Sequence, residues 1–194
     1  MRYPVVLDVE TQHSFREFSE HKKLRISVAC LYDYKDNVLK AYFENELSSL
    51  FQILENASVI IGYNINSFDL PVLQAYYPGN VAQFKTFDML DEVRNLLGRR
   101  LALNDLISVT LNKKKSGHGL QAIDLFREGK LEDLKNYCFD DVMLEKELYE
   151  YGVKNNEIYF MDVTGKATLK VNWSKNTTQS ANHAVSLTLP FTKF

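Results

Sequence analysis

The sequence predicts an α/β fold built on a mixed sheet, and three observations support this prediction. A short apolar run at residues 5–7, just before the acids of the segment 5–11, is typical of a buried strand in a covered sheet. Two β-rich segments, 24–34 and 38–43, flank an Asp36-Asn37 turn, which indicates an antiparallel hairpin. From residue 46 onward, strand and helix patterns alternate, as they do in α/β proteins.

The chain length allows one domain, or one domain with a small appendage. With 194 residues, the chain can bury a sizeable core. We therefore expect an α/β domain over residues 1–152, and a C-terminal β-hairpin with an irregular tail over residues 153–194.

The central elements follow from their hydrophobic patterns. Residues 46–55 carry apolar side chains at the i, i+3, i+4 and i+7 spacing of an amphipathic helix. Residues 57–62 form a short apolar run that favours a strand covered on both faces. Residues 66–77 predict a helix, with Pro71 tolerable only near its first turn and Pro78 just beyond its end.

The second half is predicted to be mostly helical. The expected elements are a short strand at 85–88 and helices at 89–97, 101–111, 120–127 and 131–151. Segments 157–163 and 167–173 flank Thr164-Gly165 and predict a β-hairpin. Residues 174–194 are rich in Ser, Thr and Asn, and their weak periodicity assigns them no fold.

Composition excludes several classes of protein. The two cysteines, Cys30 and Cys138, have no CxxC spacing, which argues against a disulfide scaffold or a zinc finger and fits a reducing cytoplasm. No signal peptide is evident, and no apolar run approaches the ~20 residues of a membrane span. The net charge of −2 means that nucleic-acid binding would require a local basic patch.

The first strand ends on two carboxylates. Asp8 and Glu10 are two residues apart, so both side chains point to one face of the strand, while Val9 points to the other. Adjacent carboxylates at a buried strand end repel each other and need a cation, for which a divalent metal with oxygen preference is suited. The alternative is a solvated edge strand with no metal.

Two further acids fall where they can join this pair. Asp69 lies at the start of a predicted helix, just after the strand at 57–62, where helix capping is the alternative explanation. Asp141 borders the apolar stripe of the long helix, one turn after Tyr137. A buried aspartate needs a partner, which would be either a metal ion or an unidentified Lys or Arg.

Other polar residues have weaker patterns. Asp88 is predicted to cap a helix, and Asp105 to be a surface acid. Six basic residues between Arg94 and Lys115 face a single acid, which indicates either a phosphate-contacting surface or a solvated charge run. Among the four histidines, His118 in this basic region is the one worth testing.

Three short motifs occur together in order. They are Asp8-Val9-Glu10-Thr11, then Gly62-Tyr63-Asn64 with Phe68-Asp69, then Tyr137 with Asp141. This set resembles the three exonuclease motifs of the DEDD 3′–5′ exonucleases, over roughly residues 3–151. Because residue 137 is Tyr and residue 136 is Asn, the chain resembles the tyrosine (DEDDy) branch. It is also similar to exonuclease-like domains related to the proofreading domain of family B DNA polymerases.

The resemblance implies a ribonuclease H-like mixed sheet and a metal-dependent nuclease site. Asp8, Glu10, Asp69 and Asp141 would hold two divalent cations, Mg²⁺ or Mn²⁺, with Asp8 shared by both. Two metals about 3.5–4 Å apart stabilise the entering and leaving oxygens of a phosphodiester. Tyr137 would orient the attacking water through its hydroxyl, since its ordinary pKa of about 10 makes it a poor base.

Substrate contacts follow from the same resemblance. Thr11 and Asn64 would contact the terminal nucleotide, and Phe15 or Phe68 would stack on it. The implied activity is 3′–5′ hydrolysis of single-stranded DNA or RNA. One alternative is a nucleic-acid-binding or docking module that retains the motifs without activity, and another is a domain whose acids cap helices by coincidence. The sequence does not choose between DNA and RNA, or indicate a helicase or polymerase partner.

Overall fold

The computed structural model describes residues 2–115, 117 and 120–174. Within these residues, a five-stranded mixed sheet has the order β3-β2-β1-β4-β5, and a separate two-stranded sheet pairs β6 with β7. The strands are β1 (Val5–Thr11), β2 (Ile26–Asp33), β3 (Val38–Phe43), β4 (Ile60–Gly62), β5 (Thr86–Asp88), β6 (Glu157–Asp162) and β7 (Gly165–Lys170). The helices are α1 (His21–Leu24), α2 (Leu47–Asn56), α3 (Asp69–Leu73), α4 (Met89–Leu97), α5 (Leu103–Thr110), α6 (Gln121–Arg127) and α7 (Leu131–Asn155).

The pairing directions place β1 at the centre of the fold. β1 is antiparallel to β2, which is antiparallel to β3, while β1, β4 and β5 run parallel. This mixed sheet with helices on both faces is a ribonuclease H-like fold, so the predicted fold class is confirmed. The carboxyl ends of β1, β4 and β5 therefore lie at one edge of the sheet.

Two hydrophobic cores cover the two faces of the sheet. Val6 packs in the core that α4, α5, α7 and the β6–β7 hairpin share. Leu7 and Val9 pack in the opposite core, with α2 and α3. The alternation along β1 thus turns Asp8 and Glu10 toward α7, as their spacing predicts.

A bulge interrupts β2 opposite the end of β1. Glu10 pairs with Val28 and Thr11 pairs with Ile26, so Ser27 has no partner across the ladder. A bulge of this kind increases the local twist and re-aims nearby side chains.

Several predicted boundaries differ from the structure. The helix expected over 66–77 is only α3, because turns flank it on both sides and Pro71, its third residue, lacks a backbone N–H. The long helix continues past residue 151 to Asn155, where Asn156 ends it in a left-handed conformation. The hairpin turns at residues 163–164, one position earlier than predicted.

The segment after α7 packs against the main core. Trp173 is fully buried beside Gly152 of α7, where an added Cβ would collide with the indole ring. His118 and residues 175–194, for which the sequence made separate predictions, lie outside the described residues. No helix in the described part is long and apolar enough to cross a bilayer.

Candidate metal centre

Three carboxylates from two distant segments converge at the end of β1. Asp8, Glu10 and Asp141 each offer an oxygen, and these atoms lie within 4.8 Å of one another. β1 contributes the first two, and α7, which packs over the same face, contributes Asp141. Three hard oxygen donors at this separation suit a divalent cation such as Mg²⁺ or Mn²⁺.

Burial makes this cluster costly without a cation. Asp141 is 1% exposed, and its Oδ1 has no hydrogen-bond partner within the described residues. Burial, followed by the charge of Asp141, raises the pKa of Asp8 to about 7. Burial and then Asp8 likewise raise the pKa of Glu10 well above its usual range. A bound divalent cation would remove this cost, so the donor set and the orphaned oxygen fit a metal site.

Asp69 lies beside this triad and is anchored to β1. Its Oδ1 accepts a hydrogen bond from the backbone N–H of Val9 at 2.8 Å, and the residue is 3% exposed. Burial and then the charge of Asp8 raise the pKa of Asp69 well above its usual range. Asp69 is outside the set of carboxylates within 4.8 Å, although it interacts electrostatically with Asp8.

A lysine occupies part of the centre. Lys115 Nζ lies 2.7 Å from Asp141 Oδ2, and its side chain is 27% exposed. Burial lowers the pKa of Lys115, but Asp8 and Asp141 more than offset this effect, so its pKa is raised. Lys115 is the basic partner that the sequence left unidentified as the alternative to a metal at Asp141.

Tyr137 also faces the cluster. It is 6% exposed, and burial, then Asp141 and Glu10, raise its pKa, so the phenol keeps its proton at neutral pH. Gly117 lies against the ring, since an added Cβ there would be 2.9 Å from Tyr137 Cε2. Tyr137 therefore carries a protonated hydroxyl and is not a base at neutral pH.

The residues predicted to contact substrate lie in two places. Thr11 is buried, and its hydroxyl donates to the carbonyl of His13 at 2.8 Å. Asn64 has a positive φ of 71°, and its Oδ1 accepts from Arg100 Nη2 at 2.9 Å. Neither side chain is in the carboxylate cluster.

An aromatic group lies on the loop that follows β1. Phe15 is 49% exposed, and its ring meets that of Phe68 edge-on at 5.9 Å. His21 packs against Phe15 in the same geometry at 5.0 Å. These rings form an exposed apolar surface a few residues beyond Glu10.

The basic segment is largely engaged in ion pairs and hydrogen bonds. Arg99 pairs with Asp162, Lys113 with Glu147, and Lys115 with Asp141. These contacts weaken the prediction of a continuous phosphate-binding surface and favour separate roles for its members.

The two acids predicted to be structural have structural partners. Asp88 caps α4 through the Leu90 N–H and also accepts hydrogen bonds from the backbone of Asn64 and Asn66. Asp105 lies in the first turn of α5 and accepts from the Ala102 N–H at 3.4 Å.

Sequence reasoning missed two side chains at this centre. Cys138 Sγ lies 3.6 Å from Asp8 Oδ2, and the thiol donates to the carboxylate. Glu145 is 2% exposed, and its Oε2 has no hydrogen-bond partner within the described residues. An available signal was the position of Glu145 on the apolar stripe of α7, four residues after Asp141.

Comparisons with known proteins support the fold alone. No protein-family model matches the chain, and no curated protein matches its sequence. Among solved structures, the chain is similar to a family B DNA polymerase from Pyrobaculum calidifontis, with a TM-score of 0.59 and 15% identity over 77% of this chain. It is also similar to Trypanosoma brucei RNase D, with a TM-score of 0.57 and 14% identity over 99% of this chain.

A second RNase D structure, a complex with RNA U12, has a TM-score of 0.51 and 14% identity over 99% of this chain. The chain spans 24% of the polymerase and 69% and 66% of the two RNase D chains. The fold is therefore shared with proteins that act on nucleic acids, and the acidic cluster at the end of β1 can hold a metal.

Proposed function

We propose that the protein is a metal-dependent 3′–5′ exonuclease of the DEDDy type, acting on single-stranded nucleic acid. The observation that carries the proposal is the convergence of Asp8, Glu10 and Asp141 within 4.8 Å in a ribonuclease H-like fold. Asp69 supports the proposal as a fourth acid, because its hydrogen bond to the Val9 N–H holds its carboxylate against β1.

These four carboxylates would hold two divalent cations, Mg²⁺ or Mn²⁺. Such ions supply charge neutralisation at the scissile phosphate and lower the pKa of water. The chain contributes the ligand positions: β1 fixes Asp8 and Glu10, its backbone holds Asp69 in place, and α7 brings Asp141 over them. Asp8, which interacts electrostatically with both Asp141 and Asp69, is the ligand that both cations would share.

Tyr137 would orient the attacking water by hydrogen bonding. Its raised pKa keeps the hydroxyl protonated, so the residue can position the water but does not remove its proton. Attack at phosphorus breaks the bond to the 3′ oxygen of the preceding nucleotide. A nucleoside 5′-monophosphate leaves, and the shortened strand ends in a 3′ hydroxyl.

The residues around the centre are suited to hold a single-stranded end. Phe15 and Phe68 offer ring surfaces for base stacking, which is tolerant of sequence. Asn64 and Thr11 would contact the terminal nucleotide through their polar atoms, which requires Asn64 to exchange its present bond to Arg100.

The test uses 5′-labelled single-stranded DNA and RNA of matched sequence, with Mg²⁺, Mn²⁺ or EDTA. We expect stepwise shortening from the 3′ end with either metal and none in EDTA. Asp8→Ala should abolish shortening, and Asp133→Asn, which removes an exposed acid from the first turn of α7, should leave it intact. If the parent protein leaves every substrate at full length with either metal, the proposal is refuted.

One observation favours a second candidate, a nucleic-acid-binding module without activity. Lys115 supplies a cation to Asp141 from within the chain, so the cluster is partly neutralised without metal. This module would bind the same oligonucleotides equally in Mn²⁺ and EDTA and would not shorten them.

A further inference from the structure

Glu145 is a buried acid that the four-carboxylate site does not use. It lies on α7, one turn beyond Asp141, and is 2% exposed. Charged side chains this deeply buried are ordinarily paired, because desolvating an isolated carboxylate is costly. Within the described residues, however, Glu145 Oε2 has no hydrogen-bond partner.

The Glu145 carboxylate packs against the backbone at Gly62. Gly62 ends β4 next to β1, and an added Cβ there would lie 3.4 Å from Glu145 Oε2 and 2.8 Å from the Leu7 carbonyl oxygen. Leu7 immediately precedes Asp8, so the orphaned oxygen lies near the segment that carries Asp8, although Glu145 is outside the set of carboxylates within 4.8 Å of one another. The space at Gly62 is taken mainly by Ile65, whose Cγ2 would lie 2.2 Å from an added Cβ, and the Glu145 carboxylate borders the same space.

The charges around Glu145 belong to the same centre. Burial, followed by the charges of Asp8 and Asp69, raises the pKa of Glu145 well above its usual range, and Lys115 opposes this rise. Among the described residues, Lys115 is the positive charge that acts on Glu145, but its ammonium group is paired with Asp141. A buried carboxylate in this position, with one oxygen that has no hydrogen-bond partner within the described residues, is suited to interact with a cation held by the neighbouring carboxylates.

We propose that Glu145 is a fifth carboxylate of the metal centre, placed behind Asp8 and Asp69, and that its charge strengthens the binding of divalent cations. The proposal rests on the proposed function, because it assigns a role at the same site. In the metal-free chain Lys115 offsets one of the four ligand charges, and Glu145 adds a further negative charge to the same region.

This role differs from a purely structural one in what it predicts. A residue that only fills space would affect folding equally with and without metal. A carboxylate that acts on the cation would change metal affinity, and its loss would relieve repulsion in the metal-free protein. Residues that support metal ligands typically contribute about 10- to 100-fold to affinity.

The experiment titrates the full-length chain with Mn²⁺ by calorimetry and follows thermal unfolding in EDTA and in Mn²⁺. Glu145→Gln keeps the shape of the side chain and removes its charge. We expect Mn²⁺ affinity about 10- to 100-fold below that of the parent. We also expect a smaller Mn²⁺-induced rise in Tm, with a Tm in EDTA no lower than the parent's.

Two further variants complete the test. Glu145→Met gives a second charge-free side chain if the amide disturbs folding, and it should lose Mn²⁺ affinity to a similar extent. Asp133→Asn removes an exposed acid from the same helix, two turns before Asp141, and should bind Mn²⁺ like the parent, which excludes a general charge effect. If the parent binds Mn²⁺ and both Glu145 variants bind it equally well, this inference is overturned while the proposed function stands. If the parent itself binds no Mn²⁺, both are overturned.

Discussion

Replacing Lys115 with Met tests whether the lysine and a metal compete for the same carboxylates. The substitution removes the ammonium group that lies 2.7 Å from Asp141 Oδ2. Asp141, whose other oxygen already has no described partner, would then be a buried charge without compensation. In metal-free buffer the variant should therefore be less stable than the parent.

The magnitude follows from the burial of the pair. Removing one partner of a buried ion pair costs about 3–5 kcal/mol. Because the Lys115 side chain is 27% exposed, we take the lower end, about 3 kcal/mol. In a chain of this length, each kcal/mol shifts Tm by about 2–4 °C. The expected fall in Tm in EDTA is then about 6–12 °C.

Mn²⁺ should reverse this loss. In the parent, a cation that binds Asp141 competes with the positive charge of Lys115, whereas the Met variant carries no such competitor. The variant should therefore bind Mn²⁺ more tightly, by up to about 100-fold if the full 3 kcal/mol is recovered. Its Mn²⁺-induced rise in Tm should exceed that of the parent by a similar margin.

Thermal unfolding followed by circular dichroism, with and without Mn²⁺, measures both effects. Lys113→Met is the matched control, since Lys113 is in the same segment and pairs with Glu147 at the surface, where its side chain is 50% exposed. Such a surface pair contributes about 0–1 kcal/mol, so the control should unfold close to the parent in both buffers. A Lys115→Met protein as stable in EDTA as Lys113→Met, with no extra gain from Mn²⁺, would refute this reasoning.

Four further predictions test other parts of the molecule. In EDTA, Tm should fall as pH rises from 4 to 8. The reason is that the Asp8 carboxyl, with a native pKa of about 7 instead of 3.8, stabilises the fold only while it is protonated. Asp8→Asn should therefore flatten the dependence of Tm on pH. Tyr137→Phe should leave Tm in EDTA near the parent value but lower kcat about 100-fold, measured in single-turnover assays. Phe15→Ala should raise KM for single-stranded oligonucleotides roughly tenfold without changing Tm, given its 49% exposure. Trp173→Ala should cost about 3–5 kcal/mol in urea unfolding, because the ring is fully buried.

Local patterns account for what the sequence predicted well. The shared face of Asp8 and Glu10 follows from the two-residue period of a strand, and the structure turns both toward α7. The helical period likewise placed Asp141 at the edge of an apolar stripe, and it is in fact buried. The fold class followed from the order of such elements, since hairpin and strand–helix patterns limit the possible sheets.

Long-range contacts account for what the sequence did not predict. The pair between Lys115 and Asp141 joins residues 26 positions apart, and no spacing rule connects a loop lysine to a helix face. The shortness of α3 also escaped prediction, because the pattern over residues 66–77 matches a helix while turns replace most of it. The sequence showed Glu145 only as an acid within the apolar stripe of the long helix. That pattern does not reveal whether the side chain is buried or reaches solvent at the margin of the stripe.

The close packing of several acids with one lysine explains how the fold remains stable when the site holds no metal. Five carboxylates in a common low-dielectric region would repel one another strongly if all were ionised. Two effects reduce that repulsion in the metal-free protein. Carboxyls with raised pKa values keep their protons, and the Lys115 ammonium group forms an ion pair with Asp141. Divalent cations would neutralise the carboxylates in place of the bound protons and Lys115. Metal binding should therefore release protons and free the lysine side chain. Proton release on Mn²⁺ binding, measured by calorimetry in buffers of different ionisation enthalpy, would therefore distinguish a true metal centre from a lysine-neutralised binding module.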